Sequence, residues 1–317
     1  MTEDDQPYAI LAPPVLEQFR RTTGIGDAVL EVRFDGWSKL ALLTDDVAYL
    51  FPRRGRDEAL RFNADVCAVL TDRGVTCVPP VVGRWDDFED SAGPCVGFER
   101  RRGHQWSDIE DDVSLADLGT MLESLGRTIA TWHRLDVSTL PQQLRRPPAF
   151  DPKPTLSALL GPGYREVVDE AARRSGVPEA VRTAWLERIG QVVAVEEVFV
   201  HGDVCENQLL VDDQHVVHTV IDWDTAGIGH PLHDFDFGEW GFGIYTWESH
   251  FAELRAGMWA AYVAERGVLG MPDSDAINLV FTLAEFTYFA RHRDSGTLDP
   301  WRAQRLASTE AALAAGI

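Results

Sequence analysis

The sequence predicts a bilobal α+β chain, with a β-rich first lobe over residues 1–100 and a mostly helical second lobe over residues 101–317. Three observations predict it. Residues 28–51 fall into short alternating apolar runs separated by turn residues, the pattern of a hairpin-rich sheet. From Leu115 the spacing of apolar residues changes to three and four, kept over several turns, which is helical. Late in the second lobe, Val198–Asp224 (VFVHGDVCENQLLVDDQHVVHTVIDWD) places three short apolar runs between polar clusters, as buried strands carrying loops do.

In chain order, Ala28–Phe34 and Leu40–Leu43 read as strands, Asp45-Asp46 as a turn and Val47–Phe51 as the returning arm of a hairpin. Residues 57–72, DEALRFNADVCAVLTD, have helical spacing, and Val75–Val82, through Pro79-Pro80, enters another strand. Gly97-Phe98-Glu99-Arg100 ends the β-rich section. Residues 141–163, rich in proline and glycine, read as a loop with short helical pieces, and 164–195 as helix. The tail is helical over Trp247–Glu265, Asp275–His292 and Pro300–Ala315.

Composition narrows the partners. The chain of 317 residues has 29 basic and 51 acidic side chains, a net charge of −22. That sign argues against nucleic acid and anionic membrane surfaces as partners and suits a cationic small molecule. Lysine is confined to Lys39 and Lys153. Cys67, Cys77, Cys95 and Cys205 form no C-x-x-C pair, so neither a zinc site nor a disulfide scaffold is expected. No secretory signal and no apolar run of membrane-spanning length is evident, so a cytoplasmic protein is expected.

The Val198–Asp224 stretch puts Asp203 and Asp222 at the ends of neighbouring strands. Phosphoryl transfer needs such a pair. One carboxylate orients the acceptor hydroxyl and takes its proton, a second holds Mg²⁺ on the nucleotide phosphates, and a neutral oxygen completes the metal's shell. Protein kinases write this as H-R-D-x-x-x-x-N followed by a strand and D-F-G. Counted from Asp203, the Asn position falls on Gln208, with Asn207 just before it, and Asp222 falls where the metal-binding Asp belongs.

HGD-x4-Q-LLV, then IDWD-x-A-G-I-G-H-P-L-H-D, resembles the aminoglycoside phosphotransferase and choline kinase family of small-molecule kinases. The resemblance implies a protein-kinase-like fold, ATP or GTP as phosphate donor and Mg²⁺ as metal. It implies Asp203 as catalytic base, Gln208 and Asp222 as metal ligands, and His201 and Asp234 as structural anchors of the loop. For Asp224 a turn cap is preferred over a second metal ligand. Glu239, Trp240, Trp247 and Glu285 lie on segments that line the acceptor site in the family, an aromatic and acidic wall suited to a cationic or sugar-like acceptor.

At the nucleotide end, kinase-like first lobes use a glycine-containing strand turn and a strand cation held by a helix glutamate. Asp35-Gly36-Trp37-Ser38-Lys39 is the best turn, with Gly36, Ser38 and Lys39 facing phosphate. The strand cation is missing, because Leu50 stands in its place, and Asn63 stands in place of the glutamate. Lys39 or Arg53 is expected to serve instead, the alternative for Arg53 being a solvated surface charge. Adenine or guanine is expected against Phe98, Glu99 and Arg100, through backbone contacts.

Two other readings compete. A nucleotide-binding pseudokinase would explain the missing cation and glutamate. A metal-dependent phosphohydrolase would use His230, His233-Asp234, His201 and Asp203 as a metal cluster.

Overall fold

The computed structural model describes residues 11–33, 39–53, 56–86, 93–109, 112–147, 154–235 and 250–315. Its first part is a five-stranded antiparallel sheet with two helices. The strands β1 (Glu31–Arg33), β2 (Lys39–Leu43), β3 (Val47–Pro52), β4 (Val81–Trp85) and β5 (Cys95–Glu99) lie in the order β1-β2-β3-β5-β4. Two helices accompany the sheet, α1 (Pro13–Thr23) and α2 (Asp57–Asp72).

The register of the β2–β3 hairpin decides which side chains reach the second lobe. Lys39 lies opposite Pro52, and Ala41 opposite Leu50. Directly opposed residues share a face, as do residues two apart, so Lys39 and Leu50 project from the same face. The other face carries Leu40, Leu42, Tyr49 and Phe51, which pack under Val15 and Phe19 of α1. Helix α1 was not evident in the sequence pattern, and the strand expected at Val75–Val82 begins only at Val81. Pro79 and Pro80 cannot donate to a ladder, so pairing starts after them.

Helix α2 follows its sequence pattern from end to end. Asp57 and Glu58 favour its positive N-terminus. Leu60, Asn63, Ala64, Cys67 and Leu70 form one buried stripe against the main core.

The remainder is mostly helical. After β6 (His104–Gln105) and α3 (Trp106–Ile109) comes α4 (Leu115–His133), capped by the Ser114 hydroxyl, which accepts from the Asp117 N–H at 3.2 Å. Helices α5 (Pro154–Leu159), α6 (Tyr164–Ser175) and α7 (Glu179–Val193) follow. The single helix expected over 164–195 is two, broken at Gly176, whose φ of +69° only glycine adopts without strain, and at Pro178. Short strands β7 (Val198–Val200), β8 (Leu209–Val211), β9 (Val217–Val220) and β10 (Gly227–Gly229) form two small sheets, β10-β7 and β6-β8-β9. Helices α8 (Phe251–Arg266), α9 (Ser274–Ser295) and α10 (Pro300–Ala315) complete the chain. Among the described residues no helix is long and apolar enough to cross a membrane.

Helices α4 and α8 approach so closely that a Cβ on Gly126 would overlap the Met258 carbonyl oxygen. Helix propensity alone makes Gly126→Ala stabilising by ~1 kcal/mol. Overpacking against backbone should reverse the sign and cost ~1–3 kcal/mol, read as a lower urea midpoint at unchanged slope. A stabilised variant would show that the two helices are not in contact at Gly126.

Candidate active site

Strand β7 is fully buried and delivers His201-Gly202-Asp203 to the junction of the first sheet and the helical part. The turn is held from behind by Asp234. Its Oδ2 accepts from the His201 N–H (2.9 Å), Trp132 Nε1 (2.9 Å) and His133 Nε2 (3.0 Å), and its Oδ1 accepts from the Gly202 N–H (2.8 Å). Burial alone would raise the Asp234 carboxyl; hydrogen bonds from His133 and Gly202 outweigh it and hold the group below its usual range. The tautomer of His133 follows from its partners. Arg266 donates to the Tyr262 hydroxyl at 2.7 Å, the hydroxyl lies 3.0 Å from Nδ1, and Nε2–H is left to donate to Asp234. Burial also lowers the imidazole, so His133 serves as a neutral donor.

His201 ties two loops together. Its Nε2 donates to the Ile221 carbonyl at 2.9 Å, and its Nδ1 accepts from the Asp203 N–H at 3.3 Å. Beyond Ile221 the chain turns sharply, with Asp222 at φ +68°, ψ +60°, a left-handed conformation that Asp tolerates better than most residues. Trp223 is buried edge-on to Trp132, with ring centroids 5.1 Å apart, and donates to the Val220 carbonyl at 2.9 Å.

The Lys39 ammonium bonds both Asp222 Oδ1 and, at 3.0 Å, Asp224 Oδ2. Burial would lower the lysine, but the two carboxylates raise it, so it stays charged. Asp203 and Asp224 are both raised, first by burial and then by other carboxylates. Three acids around one lysine leave surplus negative charge, which suits a hard divalent cation. Among the described residues no group of three or more His, Cys, Asp or Glu side chains is placed to hold a metal ion alone. Mg²⁺ is bound by one or two carboxylates together with water and phosphate oxygens. Asp222 and Asp224 are the donors that fit.

Several expected roles change. The Gln208 oxygen, expected on the metal, is engaged within its own loop. The Cys205 N–H can only donate, so the Gln208 Oε1 that lies 3.0 Å from it is an acceptor already engaged, and the Cys205 thiol donates to the same oxygen. The Gln208 Nε2 turns the other way and donates to Asp203 Oδ2 at 3.2 Å. Asp224, expected as a turn cap, accepts from Lys39 through Oδ2. Glu285 is paired with Arg305 at 2.6 Å, so it does not stand as an unneutralised acid for an acceptor. Phe98 is in the core. The N–H groups of Glu99 and Arg100 donate to the Pro80 and Asp46 carbonyls at 2.8 Å each, so both of these backbone donors are engaged. The Arg100 guanidinium is spent on Thr44 O and Glu31. Arg53 follows β3, while Lys39 is the cation that reaches the acids. Gly36, Ser38, Glu239, Trp240 and Trp247 lie outside the described residues.

The phosphohydrolase cluster is not assembled. His230 spends Nε2 on the Val192 carbonyl (2.9 Å) and Nδ1 on the Leu232 N–H (3.1 Å), and Asp234 is saturated by its donors. No site role was read from the sequence for Cys205, Trp132, His133 or Arg146, which donates to the Asp224 carbonyl at 3.1 Å. Cys205 lies within the HGD-x4-Q loop, whereas Trp132, His133 and Arg146 lie in no spaced motif and only the fold brings them to the site.

The sequence matches the phosphotransferase enzyme family over residues 17–275. A search of curated protein sequences found no match. Solved structures of similar fold include a GDP complex of aminoglycoside 2'-phosphotransferase-IIIa, at 15% identity and TM-score 0.56, covering 95% of this chain and 99% of that one. Another is aminoglycoside phosphotransferase APH(3'')-Id from Streptomyces rimosus with ADP and streptomycin, at 17% identity and TM-score 0.53, covering 86% and 98%. A third is macrolide 2'-phosphotransferase MphH from Brachybacterium faecium, at 17% identity and TM-score 0.50, covering 92% and 98%. With its two-part kinase-like fold and a family match over most of its length, the chain belongs to the phosphotransferase enzyme family.

Proposed function

We propose that this small-molecule kinase moves the γ-phosphate of ATP or GTP to a hydroxyl of an antibiotic-like acceptor, with Mg²⁺ as the metal. The observation that carries the reading is Lys39 of the sheet bonded to Asp222 and Asp224, in the same group of acids as Asp203. Asp203 accepts the proton of the acceptor hydroxyl as its oxygen bonds to the γ-phosphorus. The bond from that phosphorus to the β-phosphate bridging oxygen breaks, and its electron pair leaves on the nucleoside diphosphate. Gln208 fixes the orientation of Asp203 through its Nε2 donor. Lys39 neutralises phosphate charge where Leu50 cannot. Asp222 and Asp224 would hold Mg²⁺, which would supply charge neutralisation on the phosphate oxygens.

A pseudokinase is disfavoured because the missing strand cation is replaced by Lys39 from the neighbouring strand. The acceptor class rests on the similar structures, which are aminoglycoside and macrolide phosphotransferases, one of them holding streptomycin. The net charge of −22 suits a cationic acceptor.

Aminoglycosides and macrolides incubated with ATP or GTP should include one that gains a single phosphate by mass spectrometry. Asp203→Ala should lower that rate ~10²–10⁴-fold. No phosphorylated product from either class would contradict the acceptor proposal, and an unchanged rate in the variant would remove Asp203 from its role.

The base has a cost in stability. Burial and the neighbouring carboxylates push Asp203 up to about 6 from the usual 3.8. The folded protein therefore holds this proton to higher pH than the unfolded chain, and it loses stability as pH rises from about 4 to about 6. Asp203→Asn still accepts from Gln208 but carries no charge. The ligand-free variant should be more stable than wild type by ~1–2 kcal/mol above pH 6, discounted for partial exposure, and equal to it near pH 3. A variant less stable at pH 8 would contradict the electrostatic account.

A further inference from the structure

Kinases that carry a strand lysine and a helix glutamate use their ion pair to hold the helix in its working position. Leu50 and Asn63 occupy those two positions here, so α2 has no such pair, yet it is fastened to the metal loop by two consecutive residues. Buried Asn63 turns its Oδ1 to the Trp223 N–H, accepting at 3.0 Å. The Cys67 thiol, one turn on, donates to the same oxygen at 3.5 Å and holds the amide in this orientation. Phe62 presents its ring to the Arg146 guanidinium, 3.5 Å above the centroid, and that guanidinium donates to the Asp224 carbonyl at 3.1 Å. Arg146 is itself tethered, since its carbonyl accepts from the Ile228 N–H of β10 at 2.7 Å. The two links grip Trp223 and Asp224, within the three residues whose carboxylates bond Lys39.

We propose that Asn63 and Arg146 are positioning residues of the transfer reaction, and that this latch between α2 and the Asp222–Asp224 turn, made of an amide hydrogen bond and a cation–π contact, replaces the lysine–glutamate pair. The proposal rests on the kinase reading given above. Its physical consequence is specific. In the ion-paired design one lysine both binds phosphate and holds the helix. Here the tasks are separated: Lys39 can leave Asp222 and Asp224 for phosphate while Asn63 still holds the turn. The bonds of the latch align the turn and touch no reacting atom, so losing them should slow the chemical step more than nucleotide binding. Displacements near 1 Å are enough to cost ~10²-fold in rate.

The test compares wild type with Asn63→Leu, Asn63→Asp, Arg146→Met and the double variant Asn63→Leu/Arg146→Met. The assay is Mg²⁺-dependent hydrolysis of ATP and GTP, which needs no identified acceptor. Asn63→Leu and Arg146→Met should each lower kcat ~10–100-fold with nucleotide affinity within twofold of wild type. The double variant should be little worse than the poorer single one, because both act on one turn. Asn63→Asp keeps the acceptor oxygen and should recover most of the lost kcat. In the nucleotide-free protein, amide exchange across residues 221–225 should quicken in both single variants. Wild-type kcat and exchange in Asn63→Leu would overturn the latch, as would a loss confined to nucleotide affinity or strictly additive losses. No hydrolysis by wild type with either nucleotide would instead count against the kinase reading itself, and exchange at 221–225 would then decide whether the latch exists.

Discussion

The Lys39 ammonium joins the sheet to the turn that carries Asp222 and Asp224, and the rest of the cleft is arranged around that contact. A buried lysine persists only when paired, and here it has two carboxylates. The arrangement still carries more negative than positive charge once Asp203 is counted, and burial first, then the neighbouring carboxylates, make both Asp203 and Asp224 hold protons more tightly. The cleft is therefore made for ligands that bring positive charge or that need it balanced. On the proposed reading a triphosphate with its metal would do both.

Holding three acids close demands a rigid support. Asp234 supplies it by taking four hydrogen bonds, two from the backbone of the His201-Gly202 turn and two from the end of α4. The chain Arg266, Tyr262, His133, Asp234 passes one direction of donation through the core, which fixes each proton and leaves no ambiguity in the loop's position. His201 then bridges to Ile221, one residue before Asp222. Base and metal turn thus share one scaffold, and the strained backbone of Asp222 is held on both sides, by His201 and by the Asn63 bond to Trp223.

Much of this was legible before the structure. Helices α2 and α10 begin and end where their apolar spacing does, and HGD with IDWD named Asp203 and Asp222, because short-range patterns record what neighbours along the chain must do. Long-range choices are recorded less well. Which of Lys39 and Arg53 reaches the acids depends on the β2–β3 register, and Lys39 shares a face with the vacated position at Leu50. Gln208 was assigned to the metal by counting from Asp203, yet its oxygen is drawn to the Cys205 N–H three residues away, a local bond that motif spacing does not encode. Glu285 looked like an open acid until α10 placed Arg305 against it. Helix α1 was hidden because its apolar residues are few, and it is secured by Phe19 edge-on to Tyr49 and Phe51.

The most direct measurement of the central claim is calorimetric ATP and GTP affinity, in Mg²⁺, of wild type, Lys39→Met, and Lys39→Met combined with Leu50→Lys. A charge-assisted bond to phosphate predicts a loss of ~10–100-fold on removing Lys39. Partial recovery is predicted when a lysine is returned at position 50, one strand over on the same face. Unchanged affinity in Lys39→Met would contradict the account, because the ammonium that joins sheet to acids would then have no part in holding the nucleotide.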